Sequence, residues 1–152
     1  MRGLALLLLT LTTTPAIASA QAAALTYRLG KDTLAIEQYT RTATGMSGEM
    51  VQRSGAAVTR YAYSLAIGPD GRPTSARVTR LQGDGSPFAT GRREYRFSLG
   101  ADSAVREVTF ADSTQRRAFA AKRAMVNFPV FIYGPTELLA ALRTTGASDS
   151  IP

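Results

Sequence analysis

The sequence predicts a mainly β protein: a single antiparallel meander forming a curved sheet or partly open barrel, with one short C-terminal helix. Turn-forming clusters recur from Leu25 to Phe110 at roughly the 8–12-residue spacing of antiparallel all-β folds. Between them, apolar and polar residues alternate with period two, most clearly in 57–67 and 92–99. Only near the C-terminus do helix start and stop signals flank a stripe of leucines.

The chain opens with an address rather than a structural element. Met1-Arg2-Gly3 is a short basic start, Leu4 to Leu11 is almost wholly apolar, and Ala18-Ser19-Ala20 fits a small-residue cleavage site. A signal peptide over 1–20, cleaved after Ala20, places the mature protein in the periplasm or outside the cell. Thr10 and Thr12 to Thr14 break the run, and a membrane anchor needs about 20 mostly apolar residues. No later segment is apolar enough to span a bilayer, so no transmembrane segment is expected after signal removal. One β-rich domain, 21–146, and a disordered tail, 147–152, complete the organisation.

Strands are predicted over 24–29, 33–42, 48–53, 57–67, 74–82, 92–99 and 104–111. Their punctuation comes from Gly30-Lys31-Asp32, Gly45-Met46-Ser47-Gly48, Ser54-Gly55, Gly68-Pro69-Asp70-Gly71, Gly83-Asp84-Gly85, Gly100-Ala101-Asp102 and Ala111-Asp112-Ser113. In 57–67, Tyr61, Tyr63, Leu65 and Ile67 share one face, as do Tyr95, Phe97 and Leu99 in 92–99. Asp102-Ser103-Ala104-Val105-Arg106 and Asp112-Ser113-Thr114-Gln115-Arg116 repeat a D-S-x-x-R pattern, which predicts two meander turns of similar chemistry. Residues 114–123 fit either a further strand or a short helix. In 126–133, Pro129 excludes a central strand, leaving an edge strand or an irregular segment over the core. Gly134 as N-cap, Pro135 at the first helical position, Glu137 in the first turn and Gly146 at the end mark a helix. Its Leu138, Leu139 and Leu142 form a stripe that must dock on the sheet.

Composition removes several chemistries. The 152 residues include 18 Lys+Arg, 11 Asp+Glu and neither His nor Cys. Triads built on His or Cys, the usual zinc sites and disulfides are thereby excluded. Neither a calcium loop, a G-x-S-x-G elbow nor a phosphate-binding glycine loop is present. The expectation is a protein that is not an enzyme, with no metal site and no cofactor. Glu37, Glu49, Glu94 and Glu107 are the carboxylates from which acid and base catalysis would have to be built. Cross-strand ion pairing is their more ordinary fate.

Two groups of side chains stand out. Tyr61, Tyr63, Tyr95, Phe97, Phe110, Phe128 and Phe131 are more aromatic residues than one short helix covers, and they are the candidate lining of a ligand site in a curled sheet. Arg92, Arg93, Arg96, Arg116, Arg117, Lys122 and Arg123 interleave with aromatics and form a candidate contact for an anionic surface or protein partner. Export argues against nucleic acid as the partner, although charge mixed with stacking groups suits single strands.

The stretch Gly30-Lys31-Asp32-Thr33-Leu34-Ala35-Ile36-Glu37-Gln38-Tyr39-Thr40-Arg41-Thr42, with Gly48-Glu49 and Pro69-Asp70-Gly71, resembles the opening of uncharacterised exported bacterial β-proteins. Their strand-and-helix pattern is similar to the periplasmic lipoprotein-carrier superfamily. The resemblance covers about residues 30–71 and implies a half-barrel sheet around an apolar cavity; it carries no functional residue across. The expected function is binding of a lipid or other apolar or amphipathic ligand. The alternative is an interaction module that uses its arginine-rich face.

Overall fold

The computed structural model describes residues 20–70 and 72–120, together with Ile132, Gly134 and Pro135. Eight strands run in chain order through one antiparallel sheet: β1 Gln21–Leu29, β2 Asp32–Thr42, β3 Gly45–Ser54, β4 Ala57–Ile67, β5 Pro73–Gln82, β6 Arg92–Leu99, β7 Ser103–Phe110 and β8 Thr114–Ala120. Every strand pairs with its sequence neighbours, and among the described residues β1 and β8 do not pair with each other. The sheet is therefore open rather than closed into a barrel.

Two-residue turns set the register at one end. Gly30 and Gly55 have φ near 60°, which permits the tight connections β1–β2 and β3–β4 at no steric cost. The two D-S-x-x-R segments do share turn chemistry. Gly100 N–H donates to Ser103 O at 2.7 Å, and Phe110 N–H donates to Ser113 O at 2.8 Å. Residues 114–120 take the strand option, while 121–123 lie outside the described residues.

One predicted turn is displaced. Gly45-Met46-Ser47-Gly48 lies within β3, and the reversal falls at Ala43 and Thr44. Neither glycine has the positive φ a turn would demand. They serve close packing instead: a Cβ on Gly45 would run into Leu65 O, and one on Gly48 would lie 2.5 Å from both Gln38 O and the Tyr63 hydroxyl.

Alternation gives the sheet two unlike faces. On one, which we call the inner face, Ala35, Met46, Met50, Tyr63, Leu65, Ala76, Val78 and Phe97 form the core, joined by partly buried Tyr27, Tyr39, Tyr61, Ile67 and Tyr95. Val108 and Ala104 extend the buried face into β7. The outer face carries Leu34, Ile36, Glu49, Val51, Val58, Arg60, Arg77, Glu94, Arg96, Glu107 and Arg116. Ile132 belongs to the core cluster, so the 126–133 segment lies over the core at that point. Gly134 and Pro135 are helical and buried, where the helix was predicted to begin. The rest of that helix, the leader and the tail lie outside the described residues.

Candidate functional site

β2 places a carboxylate where a hydrophobe would be expected. Ala35, Glu37 and Tyr39 point inward, while Leu34 and Ile36 point outward and are 40% and 46% exposed. The apolar residues of β2 taken alone would have turned the strand over. Its neighbours decide otherwise: Ala35 stands opposite Tyr27 on β1, and Tyr39 stands opposite Gly48 on β3. Packing against those partners holds the strand with Glu37 inside.

Glu37 is completely buried, at 0% exposure. Burial without partners would cost several kcal/mol, so its oxygens must be satisfied, and they are. The Tyr27 hydroxyl donates to Oε2 from β1 in a very short hydrogen bond. The Tyr63 hydroxyl donates to Oε1 at 2.6 Å from β4, two strands away. That reach depends on Gly48, which faces Tyr63 across β3–β4 and leaves the hydroxyl its path. The third donor is Gly134 N–H, 3.0 Å from Oε1. Burial first, and the adjacent Glu37 carboxylate second, hold the Tyr63 hydroxyl well above the ordinary tyrosine range. Held protonated in this way, the hydroxyl serves as a donor to Glu37.

The other three glutamates meet the ordinary fate of strand-borne carboxylates. Arg60 grips Glu49 through two parallel hydrogen bonds of 3.0 and 2.9 Å across β3–β4. Glu94 accepts from Arg77 across β5–β6 and from Arg96 on its own strand. Glu107 lies 3.5 Å from Arg116 across β7–β8. All three are on the outer face, the opposite side of the sheet from Glu37.

The candidate aromatic lining is largely brought together. Cross-strand partners share a face, and Tyr61 faces Met50, Tyr63 faces Val78, Val78 faces Tyr95, and Ala76 faces Phe97. Phe110 follows Val108 on the same side of β7. Phe128 and Phe131 lie outside the described residues. Tyr27 and Tyr39, outside the seven candidates, belong to this face as well. Their signal was the small residue opposite each: Ala35 for Tyr27 and Gly48 for Tyr39.

The candidate basic set is divided. Arg96 and Arg116 stand on the outer face, whereas Arg117 lies over the Phe119 ring at 5.0 Å on the inner one. Arg92 donates to the Tyr95 hydroxyl at 3.3 Å, and Arg93 donates to Phe88 O at 2.6 Å. Lys122 and Arg123 lie outside the described residues. A different basic row emerges from the register. Ser47, Ser64, Arg77, Arg96, Glu107 and Arg116 succeed one another directly across β3 to β8.

A shallow groove crosses β1–β4, lined in part by Ala22, Ala24, Gln38, Tyr39, Gly48 and Tyr63. Among the described residues, no cluster of three or more Asp or Glu could hold a metal ion, and no helix is long and apolar enough to cross a membrane. No protein-family model, curated protein or solved structure matches the chain.

Proposed function

We propose that this is an exported, non-enzymatic protein that binds an apolar or amphipathic molecule on the inner face of its sheet. The observation that carries the reading is the polar focus at Glu37, set among the aromatic and aliphatic residues of the core cluster. Ligand sites commonly combine apolar walls with a few convergent polar groups that fix orientation. Tyr61, Tyr63, Tyr95 and Phe97 supply the walls, and Glu37 with Tyr27 and Tyr63 supplies the fixed point. The leader pattern supports export, and β1 starts at Gln21, immediately after the predicted cleavage position. The resemblance of 30–71 to half-barrel carriers points the same way.

The test is native mass spectrometry of protein purified without detergent, followed by titration with dodecyl amphiphiles. The reading expects a bound amphiphile, or saturable binding of one dodecyl compound per chain. A bare mass together with no saturable uptake of any dodecyl compound would refute it.

A second reading draws on the outer row. Arg77 and Arg96 face each other directly with Glu94 accepting from both, Arg116 continues the row beside Glu107, and all three guanidinium side chains are more than half exposed. Such a row suits contact with an anionic surface. Binding to vesicles rich in anionic lipid should then weaken steeply as salt rises, because the contact rests on screened charge; salt-independent binding would contradict it.

A further inference from the structure

We infer that the C-terminal segment bearing Ile132, Gly134 and Pro135 is a built-in plug: it occupies the seat beside Glu37 that the head of the bound molecule takes, and that head is a compact hydrogen-bond donor. The inference rests on the ligand-binding reading and adds the head-group chemistry and an autoinhibitory contact.

The seat is defined by what Gly134 does there. Its backbone N–H reaches Glu37 Oε1 across 97 residues of sequence. The glycine is not required by conformation, since its φ lies outside the left-handed region. It is required by space. A Cβ at this position would lie 2.8 Å from the Tyr63 hydroxyl, 3.0 Å from Glu37 Oε1 and 3.1 Å from Tyr39 Cδ1. The Gly134 N–H therefore reaches Oε1 only because this residue has no side chain.

The hydrogen bond is generic. A backbone amide carries no side-chain identity, so any compact N–H or O–H donor satisfies Oε1 equally well. A primary ammonium or a primary hydroxyl fits, whereas a carboxylate head brings no donor and places acceptors against the carboxylate already present. The remainder of the plug is apolar. Ile132 is 1% exposed within the core cluster, and Pro135 is fully buried. An apolar body beside a compact donor is the description of an amphipathic amine or alcohol, and Ile132 and Pro135 beside the Gly134 N–H offer that combination.

Hydrogen exchange on the unmodified full chain tests displacement directly, with dodecylamine and dodecanoate as probes. Dodecylamine should bind about tenfold or more tightly than dodecanoate, the worth of one hydrogen bond to a charged group. At saturation with dodecylamine, the Gly134 amide should exchange about tenfold faster or more, because its acceptor has been taken. Gly134→Ala, which crowds the plug out of its seat, should tighten dodecylamine binding about tenfold. Binding of dodecylamine with the Gly134 amide as protected as before would overturn the plug while leaving the binding site intact. Equal affinity for the two probes would overturn the donor-head assignment. Failure of both probes to bind would overturn the binding reading itself, and the plug with it.

Discussion

The two faces of one sheet treat the same side chain in opposite ways. Glu37 on the inner face is sealed among hydroxyl and amide donors, whereas Glu94 on the outer face sits beneath two guanidiniums that are 53% and 55% exposed. Both carboxylates are close to buried, yet their surroundings differ in what happens when they are removed. The arginines around Glu94 can turn to water. The donors around Glu37 cannot, because Tyr63 and Gly134 are themselves buried. Exposure of the partners, rather than of the carboxylate, decides how much each site contributes to stability.

The largest expected effect follows from that difference. Glu37→Ala should destabilise the fold by about 3–5 kcal/mol, read from urea unfolding midpoints at constant m-value, because several buried donors lose their acceptor together. A loss close to that of Glu94→Ala would break the comparison. Next, Gly48→Ala should cost about 1–3 kcal/mol, since the new methyl meets the Gln38 carbonyl and the Tyr63 hydroxyl at once. If the cost arises from the displaced hydroxyl, Tyr63→Phe combined with Gly48→Ala should show less than additive destabilisation in a double-mutant cycle.

Tyr63 also sharpens the comparison through pH. Its hydroxyl is held protonated in the fold above the ordinary tyrosine value of about 10. The stabilisation is complete below that pH and is lost as pH rises beyond it, at about 1.4 kcal/mol per pH unit for this group. Unfolding midpoints measured above pH ~10 should fall more steeply for the natural chain than for Tyr63→Phe. Parallel slopes would contradict the assignment. The smallest effect belongs to the outer face: Glu94→Ala should cost about 1 kcal/mol and, unlike Glu37→Ala, should shrink as salt is added.

These contrasts also show what a sequence makes legible. The meander, the tight turns at Gly30 and Gly55 and the inward faces of β4 and β6 followed from local rules, because turn glycines and period-two aromatics act within a few residues. The pairing of Glu49, Glu94 and Glu107 with arginines was equally local, each partner lying on the same or an adjacent strand. Glu37 was not legible. Its placement depends on Tyr27, Tyr63 and Gly134, residues from three other parts of the chain, and the hydropathy of β2 alone favours the opposite face. Gly45 and Gly48 misled for a related reason. Their residue type suits a turn, but what they accommodate is backbone carbonyls and an aromatic hydroxyl on the neighbouring strands. Residue type announces that a glycine is needed and leaves open whether conformation or space requires it.

The proposed function requires the inner face to be the surface that receives a ligand. Methyl NMR during titration with dodecylamine distinguishes the faces atom by atom, since Met46, Met50, Leu65 and Val78 lie inside and Leu34, Ile36, Val51 and Val58 lie outside. The inner methyls should shift to a common saturation point while the outer methyls stay fixed. Shifts confined to the outer methyls, or no shifts at all, would contradict it.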